Sequence, residues 1–217
     1  MMAAFHFDAI VFDFDGVILE SVDVKTRAFA ALYAEYGPEV VRQVVEYHLR
    51  HGGISRFIKF RYYHETLLGK VLSPDDEQVL SERFSSLVLS EILASPWVAG
   101  AEAFLRKYCR ILPLFVASGT PQEELEMIIE RRGITRCFVS CHGTPSSKGQ
   151  IIASIVKRHG FNPGRVLMIG DAMADYEGAR EAGVRFLGRL GTGSTVFPPD
   201  VATVRDLDTL ETFITAT

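Results

Sequence analysis

Apolar and polar positions divide the chain into two rhythms. Ala9-Ile-Val-Phe12 is an unbroken apolar run met at once by Asp13, Asp15 and Gly16, the pattern of a buried strand that stops at polar groups. Side chains alternate along an extended chain, so Asp13 and Asp15 project one way and Phe14 the other. From Ser21 the period turns helical. Phe29, Leu32, Tyr33 and Tyr36 recur on one face, with Ser21 placed as a cap, Asp23 in the first turn and Gly37-Pro38 as the stop. Further helices are expected over 39–51, over 55–68 and from Ser73-Pro74 to about residue 93. The last of these opens with a cap, a first-turn proline and three acids facing the helix dipole. No strand pattern interrupts this block, and Ser95-Pro96 reads as the linker out of it.

After Pro96 strand and helix alternate. A helix over 101–109 precedes a strand over 112–117 that ends in Ser118-Gly119-Thr120. A helix from Pro121 to Gly133 leads to a short strand over 137–140 and a loop over 142–147. Then come a helix over 148–159, the strand 166–169 ending in Gly170-Asp171, a helix to Ala182, a strand over 184–187 and a last helix near 207–213. This alternation predicts an α/β fold, a doubly wound, Rossmann-like parallel sheet. The helical block far exceeds an ordinary connection between elements. The expected organisation is therefore a core of residues 1–18 and 96–217, with an all-helical cap of residues 19–95 inserted into it.

Composition narrows the function classes. The chain has 217 residues, 47% of them hydrophobic and 23% charged, enough for a sizeable core. A net charge of −4 argues against a general nucleic-acid binder, which needs surplus Lys and Arg against phosphate. No apolar stretch is long enough to span a bilayer, and the amino terminus lacks the basic start of a secretory leader. Cys109, Cys137 and Cys141 are an odd number and build no disulfide framework. Cys137, Cys141 and His142 are too close in sequence for a good tetrahedral zinc site. A cytoplasmic protein, monomeric by default, is the expectation.

The chemistry collects at the strand ends. In such a sheet ligands bind beyond the carboxyl ends of the strands, where strand order reverses. Asp13 and Asp15, Ser118-Gly119-Thr120, Gly170-Asp171 and Lys148 at a helix start all reach that edge if the first strand is central. Paired carboxylates suit Mg²⁺, and a carboxylate beside a metal can attack phosphorus to form an aspartyl-phosphate. Asp13, at the rigid strand end, suits the nucleophile. Asp15, one step out and nearer the cap, suits the acid and base. Lys148, the hydroxyls of Ser118 and Thr120 and the backbone N–H groups around Gly119 would neutralise phosphate oxygens.

Asp13-Phe-Asp15-Gly16-Val17, Ala117-Ser118-Gly119-Thr120, Lys148 and Gly170-Asp171-Ala-Met-Ala-Asp175 together resemble the four ordered motifs of the haloacid dehalogenase superfamily. The resemblance covers the whole core. It implies a Mg²⁺-dependent phosphohydrolase or phosphotransferase acting on a small phosphorylated metabolite, such as a sugar phosphate or a phosphoglycolate-like acid. It implies Asp13 as nucleophile and metal ligand, and Asp15 as acid/base and carbonyl ligand. Ser118 would bind phosphate, Lys148 would neutralise charge, Asp171 would hold the metal, and Asp175 would support the metal or Lys148 from one step further out. An aspartate at position 15 argues against the dehalogenase branch.

The stretch His142–Lys148 resembles phosphatases of the phosphoglycolate phosphatase kind, and Gly52-Gly-Ile-Ser-Arg56 resembles the cap loop of the β-phosphoglucomutase subfamily. Arg56 would then fork onto a second anionic group of the substrate. Alternatively, Arg56, Lys59 and Arg61 form a solvated helix face. Lys25 is a second cap candidate, standing where the mutase-like spacing holds histidine, and Glu20 replaces the usual aspartate of the linker. Trp97, Tyr62 and Tyr63 read as packing residues, and His48, His51 and His64 as surface or cap-packing groups without a catalytic part. A phosphatase is the preferred expectation. A phosphomutase is the first alternative, and a receiver-like signalling domain, which also clusters aspartates with Thr and Lys, is the second.

Overall fold

The computed structural model describes residues 5–191 and 197–215. The first residues read above for a leader, and part of the tail, lie outside the described residues. The strands are β1 (Ala9–Phe12), β2 (Leu114–Pro121), β3 (Ser140–Thr144), β4 (Val166–Gly170), β5 (Arg185–Arg189) and β6 (Thr203–Val204). They form one sheet in the order β3-β2-β1-β4-β5-β6, and every pairing is parallel. β1 therefore lies between β2 and β4, and strand order reverses beside it.

Register explains the apolar runs. Ile10 and Phe12 join Leu114, Val116, Leu167 and Ile169 in one core cluster. Ala9 and Val11 join Phe115, Ala117, Val166 and Met168 in the other. Because the pleat sends alternate side chains to opposite faces and both faces are covered, β1 reads as continuously apolar. Between β1 and β2 lie α1 (Val22–Leu32), α2 (Pro38–Arg50), α3 (Arg56–Tyr62), α4 (Pro74–Ala94) and α5 (Ala101–Tyr108). Then α6 (Gln122–Arg131) follows β2, α7 (Lys148–His159) follows β3, α8 (Met173–Glu181) follows β4 and α9 (Leu210–Ile214) closes the chain. α5 and α6 cover the first face through Phe104, Leu125 and Ile128, and α7 and α8 cover the second through Ile151, Ile155 and Ala179.

The regular elements of the block between Leu19 and Ser95 are helical, and they share an aromatic centre. The Phe29 ring lies 4.4 Å from Phe84, 5.9 Å from Phe60 and 5.8 Å from Tyr63, centroid to centroid. Tyr63 is buried and donates its hydroxyl to the Val44 carbonyl at 3.2 Å, while Tyr62 stacks on Tyr47 at 3.8 Å. Trp97 lies under the Arg132 guanidinium, 4.4 Å from ring centre to carbon. These are packing roles, as expected of them.

Three elements differ from the sequence pattern. The third strand covers Ser140–Thr144 rather than 137–140, because Thr135–Cys137 closes a 3₁₀ turn and Ser140, Cys141 and His142 pair with Phe115, Val116 and Ala117. As the edge strand it tolerates polar residues that an interior strand would not. The second strand runs on through Ser118-Gly119-Thr120 to Pro121, with a register shift after Ala117. A sixth strand, Thr203–Val204, was not signalled; two residues show no periodicity.

Candidate active site

The end of β1 is built to hold two carboxylates apart. Asp13 makes the last ladder bond of the strand, donating its N–H to the Ile169 carbonyl at 2.8 Å, so its side chain leaves from a fixed point. Phe14 turns back into the core and is buried. Gly16 takes a positive φ of 75° and donates its N–H to the Leu19 carbonyl at 2.7 Å. A side chain at residue 16 would collide with the carboxylate of Asp171, so glycine is required twice over.

The carboxylate of Asp13 joins a buried cluster. Lys148 reaches Asp13 at 3.0 Å and also contacts Asp175. Its position is set by a capping box at the start of α7: Ser147 Oγ accepts from the Gln150 N–H at 3.2 Å and Gln150 Oε1 accepts from the Ser147 N–H at 3.0 Å. Asp175 Oδ2 accepts the Ala172 N–H at 3.0 Å. Asp13, Asp171 and Asp175 each offer an oxygen within 4.8 Å of the others.

Burial, reinforced by Asp175, pushes the Asp13 carboxyl up to about 7 against the pull of Lys148. Burial and the Asp13 charge raise Asp171 well above the ordinary carboxylate range. Burial alone would lower Lys148, but Asp13 and Asp175 hold it above its ordinary value. Lys148 thus pairs with two carboxylates, and Asp171 adds a third beside them. A surplus of hard oxygen donors with too little positive charge fits a divalent cation such as Mg²⁺.

Asp15 lives in a different environment. Ser21 donates its hydroxyl to Asp15 Oδ1 at 2.6 Å, Thr120 donates to Oδ2 at 3.3 Å, and the Lys25 ammonium contacts Oδ2. Lys25 also donates to Thr120 Oγ1 at 2.8 Å. Burial alone would raise Asp15, but Lys25 and the Ser21 hydroxyl bring it below the ordinary range. Ser21 therefore spends its hydroxyl on Asp15 and makes no side-chain cap to α1, a departure from its expected part. Ser118 is buried, its Oγ accepting the Thr120 N–H at 3.1 Å. At Gly119 an added Cβ would lie 2.6 Å from the Gly53 carbonyl, so the loop between α2 and α3 rests on this strand end.

A cavity of about 390 Å³ opens over this edge, with Asp13, Asp15, Gly119 and Asp171 on one side and Lys25, Arg56 and Lys59 on the other. Arg56 is not on a solvated face. Its guanidinium is buried, 2.5 Å from Glu124 of α6 and 2.8 Å from Ser85 of α4, over the Phe84 ring. Lys59 is buried as well, while Arg61 is exposed and paired with Glu77 at 2.6 Å. The solvated-face reading therefore applies to Arg61 alone. Sequence reasoning passed over Glu124, which looked like an ordinary first-turn acid of α6, and Arg189, which bonds the Gly16 carbonyl at 3.1 Å and Glu20 at 2.5 Å. Neither carries a local signal, since each partner is distant in the chain.

Known proteins share the family and the fold of this chain. The model of the haloacid dehalogenase-like hydrolases matches residues 7–183. A phosphoglycolate phosphatase of Synechococcus elongatus is 28% identical over 182 residues, covering 81% of this chain and 80% of that protein. A crystal structure of β-phosphoglucomutase from Clostridium difficile superposes with a TM-score of 0.76 at 19% identity, covering 94% of this chain and 93% of the other. A predicted phosphoglycolate phosphatase of Haemophilus somnus superposes with a TM-score of 0.72 at 18% identity, covering 96% and 98%. At such identities the two structures attest the fold. The family match spans most of the chain and takes in all four strand-end segments, and the chain belongs to the haloacid dehalogenase-like hydrolases.

Proposed function

We propose that the protein is a Mg²⁺-dependent phosphatase that hydrolyses a small phosphorylated metabolite through an aspartyl-phosphate on Asp13. The observation that carries this is the divergence of the two aspartates: Asp13 sits in the carboxylate cluster with Lys148, Asp15 with Lys25, Ser21 and Thr120. Asp13 leaves from the fixed end of β1 beside Lys148, and Asp15 lies one step out toward Lys25 of α1, so one carboxylate can face phosphorus while the other faces the leaving oxygen. The resemblance of the phosphoglycolate phosphatase relative over four-fifths of the chain supports the same reaction class.

In this reading Asp13 attacks phosphorus, the bond to the leaving oxygen breaks, and Asp15 delivers a proton to the departing alkoxide. Asp15, now a carboxylate, takes a proton from water, whose oxygen attacks the aspartyl-phosphate and frees inorganic phosphate and the Asp13 carboxylate. Lys148 and the hydroxyls of Ser118 and Thr120 offset the charge of the transferring oxygens. Asp13, Asp171 and the Asp15 backbone carbonyl would hold Mg²⁺, with Asp175 beside them. When bound, the ion supplies charge neutralisation at the phosphoryl oxygens.

Lys25 times the proton. An arriving phosphate dianion competes with Asp15 for its ammonium, and once Lys25 turns to the phosphate, Asp15 loses the cation that holds it ionised. The block of residues 19–95 acts as a cap that closes over the site and excludes water during the first transfer. Asp13→Asn, nearly isosteric, tests the assignment: p-nitrophenyl phosphate turnover with Mg²⁺ should fall below detection while the melting curve is kept. Retained turnover would reject Asp13 as nucleophile. Phosphate release without a bisphosphate activator separates a phosphatase from a mutase.

A further inference from the structure

Four cations line the cavity: Lys25, Arg56, Lys59 and Arg189. Three are each held by a carboxylate, Lys25 by Asp15, Arg56 by Glu124 and Arg189 by Glu20. The fourth has none. Among the described residues Lys59 forms no ion pair; its Nζ has one polar partner, His48 Nδ1 at 2.9 Å, and lies 5.5 Å from the Phe29 ring centre. Yet Lys59 is only 2% exposed. An ammonium carries three donors, and here His48 can take only one, so donors remain unspent at the cavity wall. Burying an ammonium without an anion is costly.

We infer that Lys59, steadied by His48, is the receptor for a second anionic group on the substrate, so that the preferred substrates are phosphomonoesters whose alcohol carries a carboxylate or a further phosphate. This rests on the phosphatase reading of the same site. It also moves the second-anion role from Arg56, whose guanidinium is already engaged by Glu124 and Ser85, to a residue on the next turn of the same helix. The electrostatics agree. Burial, with Lys25 and Lys148 adding repulsion that Asp15 and Asp171 only partly offset, depresses Lys59 to about 7, and burial beside Lys59 drives His48 down to about 2. The ring thus stays neutral and accepts from Lys59, and an anionic group on a substrate would supply the ammonium with a charged partner. Phe29, Leu49, Ile54 and Phe84 are among the lining residues, and they offer apolar surface suited to a short carbon spacer between the two charged ends.

The test begins with the wild-type enzyme and Mg²⁺, and with esters that differ only at the far end. They are 2-phosphoglycolate, ethylene glycol bisphosphate, 2-hydroxyethyl phosphate and phosphoethanolamine. One or both anionic esters should exceed the neutral one in kcat/KM by about 10- to 100-fold, the worth of a buried charge-assisted hydrogen bond, and the cationic ester should rank last. Which anionic ester leads identifies the group recognised. In Lys59→Met the anionic-to-neutral ratio should collapse toward one, chiefly through KM, and Lys59→Arg should recover part of it. A neutral ester that matches the anionic ones in the wild type overturns the inference, even if Lys59→Met fails to fold. So does an unchanged ratio in a folded Lys59→Met. Hydrolysis of p-nitrophenyl phosphate without any such preference sinks only this inference, whereas no turnover of any ester sinks the phosphatase reading with it.

Discussion

Lys25, on α1, places its ammonium against the carboxylate of Asp15 at the end of β1, and donates at the same time to Thr120 Oγ1 at 2.8 Å. One side chain of α1 thereby touches both the proposed acid/base and the hydroxyl of the proposed phosphate cradle.

Removing that ammonium should alter rate and pH dependence together. Lys25→Gln is expected to lower kcat/KM by about 10²-fold, the usual cost of losing one preorganised charge partner. Asp15 is held low by Lys25, so its loss raises the Asp15 carboxyl. Asp15 must be protonated to act as acid, and the alkaline limb of the kcat/KM profile should shift to higher pH. An unmoved limb would show that Lys25 does not govern Asp15.

Metal dependence should be visible in stability as well as rate. Asp13 is raised in the folded state, to about 7 from an ordinary 3.8. Between those values the native state binds more protons than the unfolded chain, so the metal-free protein loses stability as pH rises through that window. Mg²⁺ binds the carboxylates and relieves this. The rise in Tm on replacing EDTA with Mg²⁺ should therefore be larger at pH 8 than at pH 5.5. Equal shifts at both pH values would argue against a metal held by this cluster.

Arg56 and Glu124 are both buried, 2.5 Å apart, and join α3 to α6. Arg56→Ala leaves Glu124 buried without its cation and should cost about 3 kcal/mol or more in unfolding free energy. Arg56→Met with Glu124→Leu should recover much of that. A double-mutant cycle in urea would measure the coupling, and additive losses would rule it out.

Gly119 keeps space for the loop that carries Gly53. Gly119→Ala puts a methyl group 2.6 Å from the Gly53 carbonyl and should cost about 1–3 kcal/mol, as overpacking does. The displaced loop should also raise KM. A variant with wild-type Tm and KM would mean that the loop yields freely.

Most elements of the fold were legible in the pattern of apolar and polar residues. Continuous apolar runs ending in Asp13, Ser118 and Asp171 announce covered parallel strands with polar edges, because burial on both faces erases alternation while the strand ends stay at the ligand edge. The helix expected from 148 put Lys148 on the first turn of α7, because a helix start is read from neighbours in the chain. Where the sequence misled, the cause was non-local: the third strand slid to Ser140–Thr144 because pairing with β2 outweighs a short apolar run, and Ser21 turned from its helix to Asp15. How the cations around the cavity are used was settled by tertiary contacts. Arg56 meets a carboxylate 68 positions away, Arg189 one 169 positions away, and Lys59 meets none among the described residues. Ion pairing depends on what the folded chain brings within a few ångströms, and helical spacing specifies a face without saying what lies opposite it.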